Sequence, residues 1–183
     1  KTVSTRNGYQ LTKDVSSSNV GKLLPRQYAG ADIQIEIPNR SGASEIRAEY
    51  IKGTQTSTLK SSESPGTYPI TNGIIDPLTV RNFDGIYLIY LQHLGSSKHQ
   101  AIIKYDWYDP NKKVSGNEIS AENGFNKADI RYNTLGLGYV YYANPSLNLV
   151  LYYDMVRNER TALTGFKEDV DDNIFTCRIR YKF

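Results

Sequence analysis

Apolar side chains recur at every second position through much of the chain. The final ten residues, IFTCRIRYKF, show it most cleanly: Phe175, Cys177, Ile179, Tyr181 and Phe183 alternate with Thr176, Arg178, Arg180 and Lys182. A period of two marks a β-strand with one apolar and one polar face. The same test predicts seven strands, over Tyr28–Ile37, Ser44–Ile51, Phe83–Leu94, His99–Tyr108, Arg131–Tyr142, Leu147–Arg157 and Ile174–Phe183. An eighth, Thr2–Leu11, is weak, because only Val3, Tyr9 and Leu11 give it a face. Helical periodicity is scarce, so the predicted fold is all-β.

The joins alternate in length. PNRSG (38–42), GSSK (95–98) and ANPS (143–146) are short and rich in turn formers, whereas 53–82, 109–130 and 158–173 are long and polar. Long loops without regular structure are unusual in compact soluble domains. Short turns at one end and long loops at the other are the rhythm of an antiparallel transmembrane β-barrel. Each strand has about 10–12 residues and rises about 3.3 Å per residue, which with a tilt near 45° spans roughly the 25 Å apolar band of such a barrel. The expected unit is therefore one β-barrel domain over residues 1–183, or the C-terminal part of one. Residues 1–27 are an extracellular loop or the weak first strand.

Loop length also fixes strand direction. Tyr50, Tyr105, Trp107 and Tyr153 then fall near the outer ends of outward strands, and Tyr139, Tyr141, Tyr181 and Phe183 near the inner ends of inward ones. These eight are the predicted membrane-interface residues, since an aromatic ring with a polar tip suits the boundary between lipid and water. The lipid face would carry residues such as Ile33, Ile103, Leu137, Leu149 and Ile179. The opposite face would carry Glu45, Arg47, Glu49, Lys104, Asp106, Arg178, Arg180 and Lys182, the predicted pore-lining set. Strand Phe83–Leu94 is apolar on both faces and is left without an orientation.

Composition sharpens this picture. There are 15 Tyr against 5 Phe and 1 Trp, a bias towards interfacial aromatics. No run approaches the roughly 20 apolar residues of a membrane helix, and none in the first residues has the apolar core of a signal peptide. A net charge of +3, scattered along the chain, gives no footprint for nucleic acid. The single cysteine, Cys177, excludes an internal disulfide and a cysteine metal cluster.

The terminal strand, with Phe175, Ile179, Tyr181 and Phe183, resembles the C-terminal signature that the barrel-assembly machinery reads in bacterial outer-membrane proteins. KYDWYDPN (104–111), EIRAEYIKGTQ (45–55) and NTLGLGYVYYANPSLNLVLYYDMVRNE (133–159) resemble strand and hairpin segments of the phosphate-selective porin O and P family. That resemblance covers residues 28–183. It implies the C-terminal half of a trimeric, Gram-negative outer-membrane porin of about sixteen strands, passing small anions. The remaining half of the barrel, outer-membrane lipid and lipopolysaccharide would be its partners. The chain departs from the family in strand number and in lacking a dense arginine ladder.

The expected function is passive diffusion of small hydrophilic solutes or anions, phosphate among them, with neither catalysis nor a cofactor. Arg178, Arg180 and Lys182, two apart on one face, would form a cationic track, unless they pair across the lumen with Glu45, Glu49 or Asp106. Two alternatives share the alternation: a small structural or adhesive barrel plugged by its own side chains, and a soluble binding barrel. His93 and His99 flank one turn but offer two ligands where zinc needs three or four. No histidine lies near the outer side to serve a barrel hydrolase. Asp109 and Asn111 open a calcium-loop-like run that fails at Lys113, so DPN is expected to stop the strand. Glu168, Asp169, Asp171 and Asp172 read as a solvated loop.

Overall fold

The computed structural model describes residues 2–5, 8–11, 25–62, 70–71, 74–75, 78–95 and 98–183. It is all-β. Seven strands form one antiparallel sheet: β3 (Gln27–Asn39), β4 (Gly42–Thr58), β7 (Leu78–His93), β8 (His99–Asp109), β9 (Tyr132–Asn144), β10 (Leu147–Asn158) and β11 (Ile174–Tyr181). They lie side by side in chain order, so the sheet is an up-and-down meander with β3 and β11 at its edges. Among the described residues each edge strand is paired on one side only.

The Thr2–Leu11 segment departs from expectation. It is not an eighth strand of this sheet but two short strands, β1 (Thr2–Thr5) and β2 (Gly8–Leu11), paired with each other. Two further pieces, β5 (Ile70–Thr71) and β6 (Ile74–Ile75), pair with each other and, among the described residues, with no other strand.

Two of the short joins, 38–42 and 143–146, are closed by asparagine. Ser41 N donates to Asn39 Oδ1 and Ser146 N to Asn144 Oδ1, both at 2.9 Å, so each side chain copies a backbone turn. Gly42 follows the first of these turns at φ 111°, a conformation open to glycine but strained for other residues. At the opposite end β4 and β7 run further than the alternation predicts. Thr58 pairs with Leu78, so residues 53–58 and 78–82 of the expected 53–82 loop are a hairpin extension standing past the neighbouring strands.

The two other long joins are folded. Residues 110–131 and 159–173 fold on one another around Val114, Ile119, Phe125 and Ile130, all buried, with Tyr132, Leu163 and Phe166 packed alongside. Backbone bonds join them: Ala162 N donates to Ile119 O at 3.2 Å, and Glu159 N to Arg131 O at 3.0 Å. Glu159 Oε1 accepts Arg131 N, and its Oε2 accepts Gly116 N. This cap holds most of the buried apolar residues of the described chain, while the sheet contributes few. DPN does stop β8, with Asn111 N donating to Asp109 Oδ1 at 3.0 Å.

Candidate functional site

The register sorts every side chain of the meander onto one of two faces, because residues directly opposite one another point the same way. One row runs Ile35, Ile46, Tyr90, Ile103, Leu137, Tyr153 and Phe175 across all seven strands. The row above it runs Ile33, Ala48, Leu88, Tyr105, Leu135 and Met155. Five such rows give a face almost without charge. The strand that alternation left unoriented is settled by its neighbours: Ile86, Leu88 and Tyr90 share this face, and Tyr87, Ile89 and Leu91 the other.

On β7 to β10 the apolar face is the more exposed of the two, while both faces of the edge strand β3 are open and Arg47 on β4 is more exposed than Ile46 and Ala48 beside it. On β8 Ile103 and Tyr105 are 49% and 44% exposed, whereas the side chains of Lys104 and Asp106 between them are 33% and 30% exposed. On β9 Leu135, Leu137, Tyr139 and Tyr141 are exposed while Gly136 and Val140 are buried. Part of the cover on the polar side is Tyr152, whose ring lies across Gly136 and Gly138 of the next strand. A Cβ at Gly138 would come within 2.5 Å of Tyr152 Cδ2, so the close approach needs glycine there. From a strand spacing near 4.8 Å and a rise near 3.3 Å, each position on one face covers about 32 Å², so the roughly two dozen apolar positions in these rows amount to roughly 750 Å² of apolar face, above the about 300–600 Å² of the largest patch on a typical monomer.

The predicted pore-lining residues that lie within strands all fall on the polar face, but they do not form one network. Arg47 Nε meets Glu45 Oε1 at 2.7 Å, and Lys104 Nζ meets Asp106 Oδ2 at 2.6 Å, each a pair along its own strand. Tyr87 bonds Glu49. Arg178 and Arg180 stand opposite Val150 and Asn148 and form no ion pair among the described residues. Lys182 lies one residue past β11, with its N–H donating to Ser146 O at 2.8 Å.

The predicted interface aromatics that lie within strands are all on the apolar face. Tyr50 and Trp107 share a row with Ile86, Tyr105 lies one row down and Tyr153 two. Tyr139, Tyr141 and Tyr181 descend in the same sense towards β11, where the Tyr181 and Phe183 rings lie 6.4 Å apart. Tyr50 is not at the strand end, since β4 continues to Thr58. His93 and His99 lie on opposite faces: His93 is paired with Gln100 and stacks on Tyr142, while His99 packs against Tyr139 and Tyr141. They cannot share a metal. In the acidic run, Asp169 Oδ1 accepts Asn158 N, and Glu168 meets Arg160 at 3.3 Å.

Alternation could not reveal the polar anchor of the cap. Arg81, on the extension of β7, is buried with Asp129, at 2% and 1% side-chain exposure. Its Nε meets Asp129 Oδ1 at 2.7 Å, and its other donors reach Ser57 Oγ and the carbonyls of Thr58, Leu59 and Ser61. Asn111 Nδ2 and Asn126 N also donate to Asp129. The node fixes 110–131 against the polar side of the β4–β7 extension.

Asp109, past the last apolar row and beneath the cap, has its carboxyl pushed up to about 6. Burial is the main cause, opposed by the Asn111 N–H and reinforced by Glu159 and Asp84. A carboxyl raised by folding adds stability at low pH that is lost as pH climbs through its folded value. The cap is therefore expected to weaken by about 2–3 kcal/mol between pH 4 and pH 7 through this group. Hydrogen exchange at the Ile119 amide should show the loss, and Asp109→Asn should flatten it.

Comparison of the chain with protein-family models, with curated proteins and with solved structures finds no match in any of the three.

Proposed function

We propose that the chain is part of an antiparallel β-barrel in a bacterial outer membrane, related to the phosphate-selective porin O and P family, and acts as a passive porin. The observation that carries this reading is the inverted sheet: an exposed apolar face continuous over seven strands, which on β7 to β10 is more open than the polar face behind it. In water such a face would be the part to bury, and the described chain buries its cap instead. In a bilayer it needs no cover. The aromatic rows support the reading too. The outer set steps down from Tyr50 on β4 to Tyr153 on β10, and the inner set from Tyr139 on β9 to Tyr181 on β11. Tilted strands crossing one flat boundary would place them so.

Small hydrophilic solutes or anions would diffuse through water on the polar side, sorted by width and by the charges of Arg47, Lys104, Arg178, Arg180 and their acidic neighbours. The cap lies at the outer mouth. The remaining strands, a trimeric assembly and insertion through the C-terminal strand belong to the same proposal. Reconstitution of the full-length protein in planar bilayers tests it. Discrete conductance steps are expected. Partition into buffer rather than detergent would refute the membrane reading, and membrane insertion without conductance would favour the plugged structural barrel.

A further inference from the structure

The charges on the polar face are sorted by strand. β3 carries Asp32 and Glu36, and β4 carries Glu45, Arg47 and Glu49. Since Glu45 is taken up by Arg47, this wall keeps Asp32, Glu36 and Glu49, with no opposing cation paired to them among the described residues. The middle is balanced, with Lys104 held to Asp106 on β8 and no charged group on β9. β10 adds the single Asp154. β11 carries Arg178 and Arg180, followed by Lys182. One side of the sheet is thus an anionic wall and the other a cationic one, about 29 Å away along six strand spacings of about 4.8 Å.

We infer that the lumen prefers zwitterionic solutes, with the cationic end drawn towards Asp32, Glu36 and Glu49 and the anionic end towards Arg178 and Arg180. The inference rests on the porin reading. In a closed barrel of about sixteen strands, six spacings are more than a third of the circumference, so the walls confront each other across water. Low-dielectric walls focus the field between them. A solute of one charge sign gains at one wall what it loses at the other. A neutral solute gains nothing. A zwitterion gains at both ends, and more as its charges lie further apart. A purely cationic track would instead favour anions.

Swelling of proteoliposomes separates these cases with pairs of isomers of equal size: alanine against lactamide, and 6-aminohexanoic acid against 6-hydroxyhexanamide. For the full-length protein the zwitterion should enter faster, by about threefold for the longer pair and less for the shorter. Arg178→Gln with Arg180→Gln, or Asp32→Asn with Glu36→Gln, should bring the ratio towards one. Exchanging the walls, with Asp32 and Glu36 replaced by arginine and Arg178 and Arg180 by glutamate, should restore it, because a zwitterion can turn round. A potassium chloride conductance step checks that each variant has inserted. Equal entry of both isomers through a conducting wild-type channel overturns the inference and leaves the porin intact. If neither isomer enters and no conductance is seen, the porin reading falls, and this inference falls with it.

Discussion

Asp129→Ala is expected to loosen the cap by about 3–5 kcal/mol, the usual cost of leaving a buried charge without its partner. Arg81 is 2% exposed and spends its donors on Asp129, Ser57 and three carbonyls of 58–61. Without the carboxylate, the guanidinium keeps its neutral partners but loses its counter-charge. Asn111 Nδ2 and Asn126 N lose an acceptor at the same moment. Hydrogen exchange in 110–131 should speed up and proteases should cut there first, while the β8–β10 ladder keeps its protection. Arg81→Met combined with Asp129→Leu should recover part of the loss, since a neutral pair removes the stranded charge but not the two amide donors. Unchanged protection of the Ile119 amide in Asp129→Ala would mean that the node does not hold the cap.

Leu137→Arg should be nearly as costly, and the size of its effect depends on the solvent. Leu137 sits midway along β9 in the central apolar row and is 46% exposed. In water an exposed leucine on a strand tolerates such a change within about 0.5 kcal/mol. Against hydrocarbon a cation near the midplane of a barrel costs about 2–4 kcal/mol. Urea unfolding from lipid vesicles should show that loss. Thr176→Arg, on the polar face of β11, should stay within about 0.5 kcal/mol in the same experiment. Equal effects from both substitutions would remove the distinction between the faces on which the membrane reading stands.

The meander itself was legible wherever one face is apolar throughout. Residues 99–108 and 147–157 alternate cleanly, and β8 and β10 begin and end within a residue of that pattern. The extension of β4 escaped because GTQTST (53–58) is polar on both faces. What lies against it is the Arg81 node and the cap, so no apolar stripe was needed there. Strand Phe83–Leu94 could not be oriented because its polar-side residues, Ile89 and Leu91, are aliphatic too. Only the register with Arg47, Lys104 and Ile102 separates them from Leu88 and Tyr90. Asp129 lies 48 residues from Arg81, and no local periodicity links two polar residues brought together by a folded loop. The pairs Arg47–Glu45 and Lys104–Asp106 were within reach of the sequence, being two apart on one face. The choice of those near neighbours over a partner across the sheet was not.

Seven is an odd number, and that has a consequence for any ring built on this sheet. In an up-and-down meander the first and seventh strands point the same way, so β3 and β11 both run from the long-loop end to the short-turn end. Joined directly they would meet in a parallel seam. A circle in which every neighbour runs opposite must contain an even number of members, so whatever completes it has to bring one, three or some other odd number of strands. A second copy standing the same way up brings seven, yet sets β11 beside β3 and repeats the parallel seam at both joints. An inverted copy would mend the seams while sending its capped loops to the wrong side of the bilayer. An alternating circle with every cap on one side therefore calls for a companion segment that differs from this one.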